Sequence, residues 1–184
     1  MSPGSPDGPP TLATAPRHLV LVGMMGAGKT TVGSRLARLL DRPFVDSDVE
    51  VERRSARSVR QIFADDGEAA FRALESEVLA EALGSEEPSV IAAAGGTVLD
   101  ELNRRRMRQC GVVVFLDARP AALATRVGGD DHRPLLGDDP AAALVRLDEL
   151  RRPLYLEASH HVVDVSAPTG PDAVVQRVLA LVTS

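Results

Sequence analysis

Gly23-Met24-Met25-Gly26-Ala27-Gly28-Lys29-Thr30-Thr31 spells G-x-x-x-x-G-K-T. That spacing suits one kind of chemistry, the holding of a chain of phosphates. Glycines at these steps allow backbone angles that a Cβ would obstruct. Several N–H groups can then converge on one point, at the positive end of the helix that begins there. Gly26, Ala27, Gly28, Lys29, Thr30 and Thr31 would wrap the phosphates. Lys29 would reach the β- and γ-oxygens, and the Thr30 hydroxyl would ligate Mg²⁺. The plainer alternative is a glycine-rich turn with an exposed lysine. Against it, Lys29 is the only lysine in a chain otherwise given to arginine. A phosphate loop needs a compact point charge on a flexible stem, which a planar fork replaces poorly.

Other residues could join this chemistry. Asp46 and Asp48 stand two apart; together they could bind a metal, handle a proton, or only cap a helix. Arg72 and Glu75 lie three apart on one helix side and could form an ordinary surface ion pair. Ala94-Gly95-Gly96-Thr97 is a run of small residues that lets a ligand approach the backbone. The segment 128–138 is polar, glycine-hinged and proline-stopped. It resembles a mobile flap in which Arg133 could swing over the phosphates, although a loop arginine can also be merely solvated. The run Arg104-Arg105-Arg106 reads as a solvated face.

These residues need elements to hold them. Leu19–Val22 is apolar throughout, as a strand buried on both faces should be. After the glycine-rich loop, Val32, Leu36, Leu39 and Leu40 share one face of a helix to about Leu40. Strands are expected at 42–46, with Asp46-Ser47-Asp48 at the carboxyl end where ligands bind in open α/β sheets, and at 89–93, 112–116 and 160–165. Helices are expected from Val49 to about Arg54, at Val59–Ala64 with Ser58 as cap, and from about Glu68 to Leu83. Further helices carry the basic run, follow Pro120 to about Arg126 and Pro140 to about Arg152, and run from Pro171 to about Val182. Strands alternating with helices predict an α/β P-loop fold of the nucleoside-triphosphate-hydrolase type. It has a five-stranded parallel sheet, helices on both faces and a mobile lid.

The 184 residues are read as one domain, 17–184, behind a disordered tail, 1–16, rich in Pro, Gly, Ser and Thr. The tail lacks the charged start and apolar centre of a signal peptide. Net charge is −5, with acids interleaved among the arginines and few aromatic residues, which argues against a nucleic-acid surface. No apolar run approaches membrane-spanning length. One cysteine, Cys110, excludes an internal disulfide and suits a reducing cytoplasm. No heptad or large apolar face calls for a partner copy, so a monomer is expected.

A phosphate loop can serve a switch, a motor or a kinase. The guanine-nucleotide switches need N-K-x-D or T-K-x-D, which a chain whose only lysine is Lys29 cannot contain. Large motors need further domains. What remains is a small kinase moving the γ-phosphoryl of ATP to a small acceptor, with a metal site, an acceptor site and a lid.

From the phosphate loop onward the chain resembles the shikimate kinase family. The resemblance is carried by the loop itself, Phe44-Val45-Asp46-Ser47-Asp48, Gly67-Glu68 leading to Phe71-Arg72, Gly95-Gly96, Arg133-Pro134-Leu135-Leu136 and Arg151-Arg152-Pro153-Leu154-Tyr155. It implies ATP- and Mg²⁺-dependent phosphorylation of the 3-hydroxyl of shikimate, on the route to aromatic amino acids. It implies that Asp46 lies near the metal and that Asp48 holds shikimate hydroxyls and is the candidate base. Arg72 and Arg151 would grip the carboxylate. Gly95 and Gly96 would lie against the substrate, Arg133 would reach over from the lid, and Arg126 would lie against adenine. Ala94 stands where the family has a third glycine, Arg152 where it has a small residue, and the 167–169 region lacks a basic residue near adenine. His132 has no role. A gluconate-type kinase on the same scaffold, or a non-catalytic nucleotide-binding protein, are the alternatives.

Overall fold

A run of apolar residues without polar alternation has to be covered on both sides, and β1 (His18–Val22) is buried at every position. The computed structural model describes residues 11–12, 18–127 and 139–183. Around β1 lie β2 (Phe44–Asp46), β3 (Val90–Ala92), β4 (Gly111–Asp117) and β5 (His161–Asp164). The five strands form one sheet in the order β2-β3-β1-β4-β5, and every pairing is parallel. Edge strand β5 alternates buried and exposed residues, as a strand covered on one face does.

The register decides what can meet. Val22 pairs with Phe115, Leu21 with Ala92, and Ala92 with Asp46. The loops leaving β1, β2 and β3 therefore emerge side by side, at the point where the chain order reverses. Helix α1 (Lys29–Leu40) follows the β1 loop and buries Val32, Gly33, Leu36 and Ala37. Leu39 faces solvent instead, at 61% exposure. Leu40 is partly buried against the core.

Helices α2 (Ser47–Ser55), α3 (Val59–Asp65) and α4 (Gly67–Gly84) form a cap with its own small core of Val51, Ile62, Phe71 and Val78. At roughly 1.5–3 kcal/mol for each buried side chain, four residues make a modest core. Ion pairs Arg54–Glu81 and Arg57–Asp66, both 2.5 Å, tie its helices together. The main core packs about the sheet. A 3-10 turn (Thr97–Leu99) and α5 (Glu101–Cys110), α6 (Pro120–Val127), α7 (Pro140–Ala158) and α8 (Pro171–Val182) complete the order.

Several expectations shift. Helix α2 starts directly at Ser47 rather than Val49, because the Asp46 carboxylate accepts from the N–H groups of Asp48 and Val49 and caps it. Helix α7 runs through Pro153 to Ala158 instead of stopping near Arg152. Proline removes one helical bond, but Arg151, Tyr155 and Ala158 lie on a buried face, and the carbonyl left unmet belongs to exposed Glu149. The basic run is no purely solvated face. Arg104 donates to Val98 O at 2.7 Å and to Glu157 at 2.9 Å, while Arg108 donates to Ser159 O at 2.8 Å beyond the end of α7. Within the expected tail, Leu12 N–H donates to Val182 O at 2.6 Å and packs on the core. The expected lid 128–138, with Arg133 and His132, lies outside the described residues.

Candidate active site

Gly23 opens the loop with φ 145, and a Cβ there would stand 2.7 Å from Leu116 O on the neighbouring strand. Only glycine fits, so loop and β4 touch directly. Gly28 caps α1 with φ 92 and no side-chain cap bond. The first-turn N–H groups of a twelve-residue helix thus point into the loop as an anion site. Lys29 Nζ donates to Gly23 O at 2.7 Å and Met24 O at 3.1 Å, which folds its ammonium over the loop. Gly26, Gly28, Lys29, Thr30 and Thr31 line a cleft of ≈ 670 Å³; Ala27 is buried beneath it.

Asp46 does cap the helix, and it uses one oxygen for that. Asp46 Oδ1 accepts from Asp48 N at 3.1 Å and caps α2, while Oδ2 accepts from the Thr30 hydroxyl at 2.6 Å. The pair brings a hydroxyl and one carboxylate together, hard oxygen donors of the kind Mg²⁺ takes beside phosphate oxygens and water. Among the described residues no group of three or more His, Cys, Asp or Glu side chains gathers to hold a metal without phosphate.

Ser47, between the two aspartates, is a residue the sequence reading passed over. It is fully buried, donates to Ala92 O at 3.1 Å and accepts from Ala94 N at 2.6 Å. Its hydroxyl thereby fastens the Asp46–Asp48 turn to the loop after β3. A small hydroxyl flanked by carboxylates at a strand end was the available signal. Ala94 itself is 2% exposed and does not line the cleft. The departure from glycine therefore adds a methyl that is buried away from the cleft lining.

Asp48 lies on the first turn of α2 and lines the cleft with Arg72, Gly95, Gly96 and Arg151. Arg72 donates to Glu75 at 2.6 Å and to Glu68 at 2.9 Å, and its guanidinium stands 5.3 Å from the Phe71 ring centroid. The ion pair foreseen with Glu75 exists, yet it is no surface pair, because Glu75 is buried. Burial pushes the Glu75 carboxyl up to about 7, against the pull of Arg72, and the nearby Asp48 charge adds to the rise. Arg72 lies directly on Gly96, where a Cβ would meet Nη1 at 1.8 Å. That contact is why this turn needs glycine.

Arg151 is buried, and its Nε has no hydrogen-bond partner among the described residues. Leaving such a donor unmet costs about 1–3 kcal/mol, more for a charged group. It therefore marks a place for an acceptor. Tyr155 donates to Gly95 O at 2.7 Å and stacks on Phe115 at 5.0 Å between centroids. Arg152 points elsewhere, to Asp148 at 2.9 Å and Asp117 at 2.7 Å, fixing α7 to the end of β4. Arg126 lines the cleft and donates to Val165 O at 2.7 Å, which organises the loop after β5 without any basic residue at 167–169.

One end of the cleft thus offers a phosphate loop and hard oxygen donors, and the other offers two guanidiniums beside a carboxylate and an apolar wall of Phe63 and Phe71. On this parallel sheet, that defines a P-loop kinase of a small anionic acceptor. A family model described as shikimate kinase matches residues 25–183. A shikimate kinase of Burkholderia pseudomallei is 46% identical over 153 residues, 83% of each chain. The structure titled shikimate kinase from Acinetobacter baumannii in complex with shikimate superposes with a TM-score of 0.86 at 38% identity, over 91% of this chain and 93% of that one. The enzyme from Aquifex aeolicus gives 0.77 at 37%, over 90% and 96%. The chain belongs to the shikimate kinase family.

Proposed function

We propose that the chain transfers the γ-phosphoryl group of ATP to the 3-hydroxyl of shikimate, giving shikimate 3-phosphate and ADP in chorismate biosynthesis. The observation that carries this reading is the buried Arg151 guanidinium, with an unmet N–H, in the same cleft as the phosphate loop. A planar carboxylate on a small ring is the acceptor such a donor calls for.

In this reading the loop N–H groups and Lys29 hold the β- and γ-phosphates. Thr30 and Asp46 would hold Mg²⁺, which when bound neutralises charge on the phosphate oxygens. Arg72 and Arg151 grip the shikimate carboxylate, and Asp48 holds its hydroxyls. The 3-hydroxyl oxygen bonds to the γ-phosphorus as the bridging oxygen leaves with ADP, and the hydroxyl proton passes to Asp48. A loose transition state asks little of that base, so Asp48 needs no raised pKa. Gly95 and Gly96 lie against the ring, Arg126 against adenine, and Arg133 comes over the phosphates from the lid. The catalytic unit is one domain, 17–184, acting as a cytoplasmic monomer.

The test is ADP release with ATP, Mg²⁺ and shikimate, beside quinate, gluconate and no acceptor. Release that depends on shikimate is expected. Gluconate-dependent or acceptor-independent release would overturn the reading.

A further inference from the structure

Tyr155 is the only tyrosine in the chain. It is fully buried and does not itself line the cleft, while its two polar neighbours, Arg151 and Gly95, do. A phenol oxygen has one proton and two lone pairs. The proton goes to Gly95 O at 2.7 Å, a far shorter contact than the 3.8 Å to Met24 Sδ in the phosphate loop. The lone pairs are then left for another donor, and the nearby charged one is the Arg151 guanidinium. A methyl placed on Gly95 would stand 3.4 Å from both Arg151 Nη1 and the Tyr155 oxygen, so the three groups share one corner.

We propose that the Tyr155 hydroxyl is a positioning group for the acceptor, locking the Arg151 guanidinium against the Gly95–Gly96 turn at the angle that meets a carboxylate. A long arginine side chain samples many rotamers, and a fixed acceptor on its protein side removes that freedom before the ligand arrives. The phenol is a rigid choice, because its ring is fixed by the Phe115 stack. This inference rests on the proposed shikimate kinase activity and extends it to a residue behind the cleft wall.

Tyr155→Phe keeps the ring and removes only the hydroxyl. The shikimate KM should rise about tenfold, the worth of one hydrogen bond, with kcat and the ATP KM nearly unchanged. In an Arg151→Ala background the same substitution should add little, because the hydroxyl acts through Arg151. A tyrosine that only supports the fold would lower the melting temperature equally in both backgrounds and leave KM alone, and that result overturns the proposal. Biosynthetic 3-fluorotyrosine places a single fluorine in the protein, so the point can be decided even if Tyr155→Phe fails to fold. Its resonance should move on adding shikimate and not on adding ATP, and it should stay still in Arg151→Ala. A fluorine indifferent to shikimate in a protein that turns shikimate over refutes the inference alone. Absence of shikimate-dependent turnover in the unsubstituted protein overturns the functional reading, and this inference with it.

Discussion

The two ends of the cleft are built from different materials. The phosphate end is mostly backbone: a loop after β1, the first turn of α1, and carbonyls of Gly23 and Met24 that hold Lys29. The other end, proposed to take the acceptor, is mostly charged side chains: Arg72 between Glu68 and buried Glu75, Arg151 with an unmet donor, and Tyr155 behind it. Backbone sites need glycine at particular steps and little else, so one local motif specifies them. Side-chain sites need each charge to be oriented by residues far along the chain. Damage to the first end should therefore stop transfer, whereas damage to the second should loosen one substrate and leave the other.

The largest effect expected is at the phosphate end. Lys29→Ala should lower kcat by roughly 10²–10³-fold, the scale for losing one preorganised donor to transition-state charge. An unchanged kcat would mean that the nucleotide is held elsewhere. Asp48→Asn tests the junction between the ends. It should cost on the order of 10²-fold in kcat and almost nothing in ATP affinity. The reverse pattern would move Asp48 to the nucleotide side.

At the acceptor end, Arg72→Ala should raise the shikimate KM by about ten- to a hundredfold, as charged hydrogen bonds are worth about 1.5–3 kcal/mol. The ATP KM should hold. A fall in melting temperature alone would reduce Arg72 to a strut for Glu75.

The smallest effect is on stability against pH. Burial holds Glu75 at about 7 instead of 4.5, in a pocket shared with Arg72, Asp48 and Arg151. Its contribution is complete below its unfolded pKa and is lost as pH rises through about 7. Burial lowers His160 from 6.5 to about 4, with Arg108 and His161 adding to the shift, while its Nδ1 accepts from Val113 N at 3.0 Å. That contribution is complete above 6.5 and lost as pH falls through about 4. Glu75→Gln should flatten the decline of melting temperature as pH rises from about 4.5 through about 7. An unchanged decline over that window would show that Glu75 titrates elsewhere.

The same contrast explains what the sequence could reveal. The strand before the loop, the helix after it and the positions of the five strands along the chain were legible, because apolar runs and glycine spacing are local signals. The meeting of Thr30 and Asp46 was legible from strand-end position. Ser47, Glu75 and Tyr155 were harder, since each looks ordinary until the chain is folded. Glu75 reads as a solvent-facing acid on α4 and is buried there instead. Arg104 reads as part of a charge run and docks α5 on Val98 and Glu157. Pro153 reads as a helix stop, and tertiary burial of Arg151, Tyr155 and Ala158 overrides it. In each case a long-range contact outweighs a local preference.

The most direct test compares shikimate with its methyl ester as acceptor for the unsubstituted protein. The ester keeps the ring and hydroxyls and removes the anion that Arg72 and Arg151 are proposed to grip. The account predicts that kcat/KM falls by about a hundredfold or more for the ester, with the ATP KM unchanged. Equal use of acid and ester would contradict it, because the two arginines would then be holding something other than the acceptor's carboxylate.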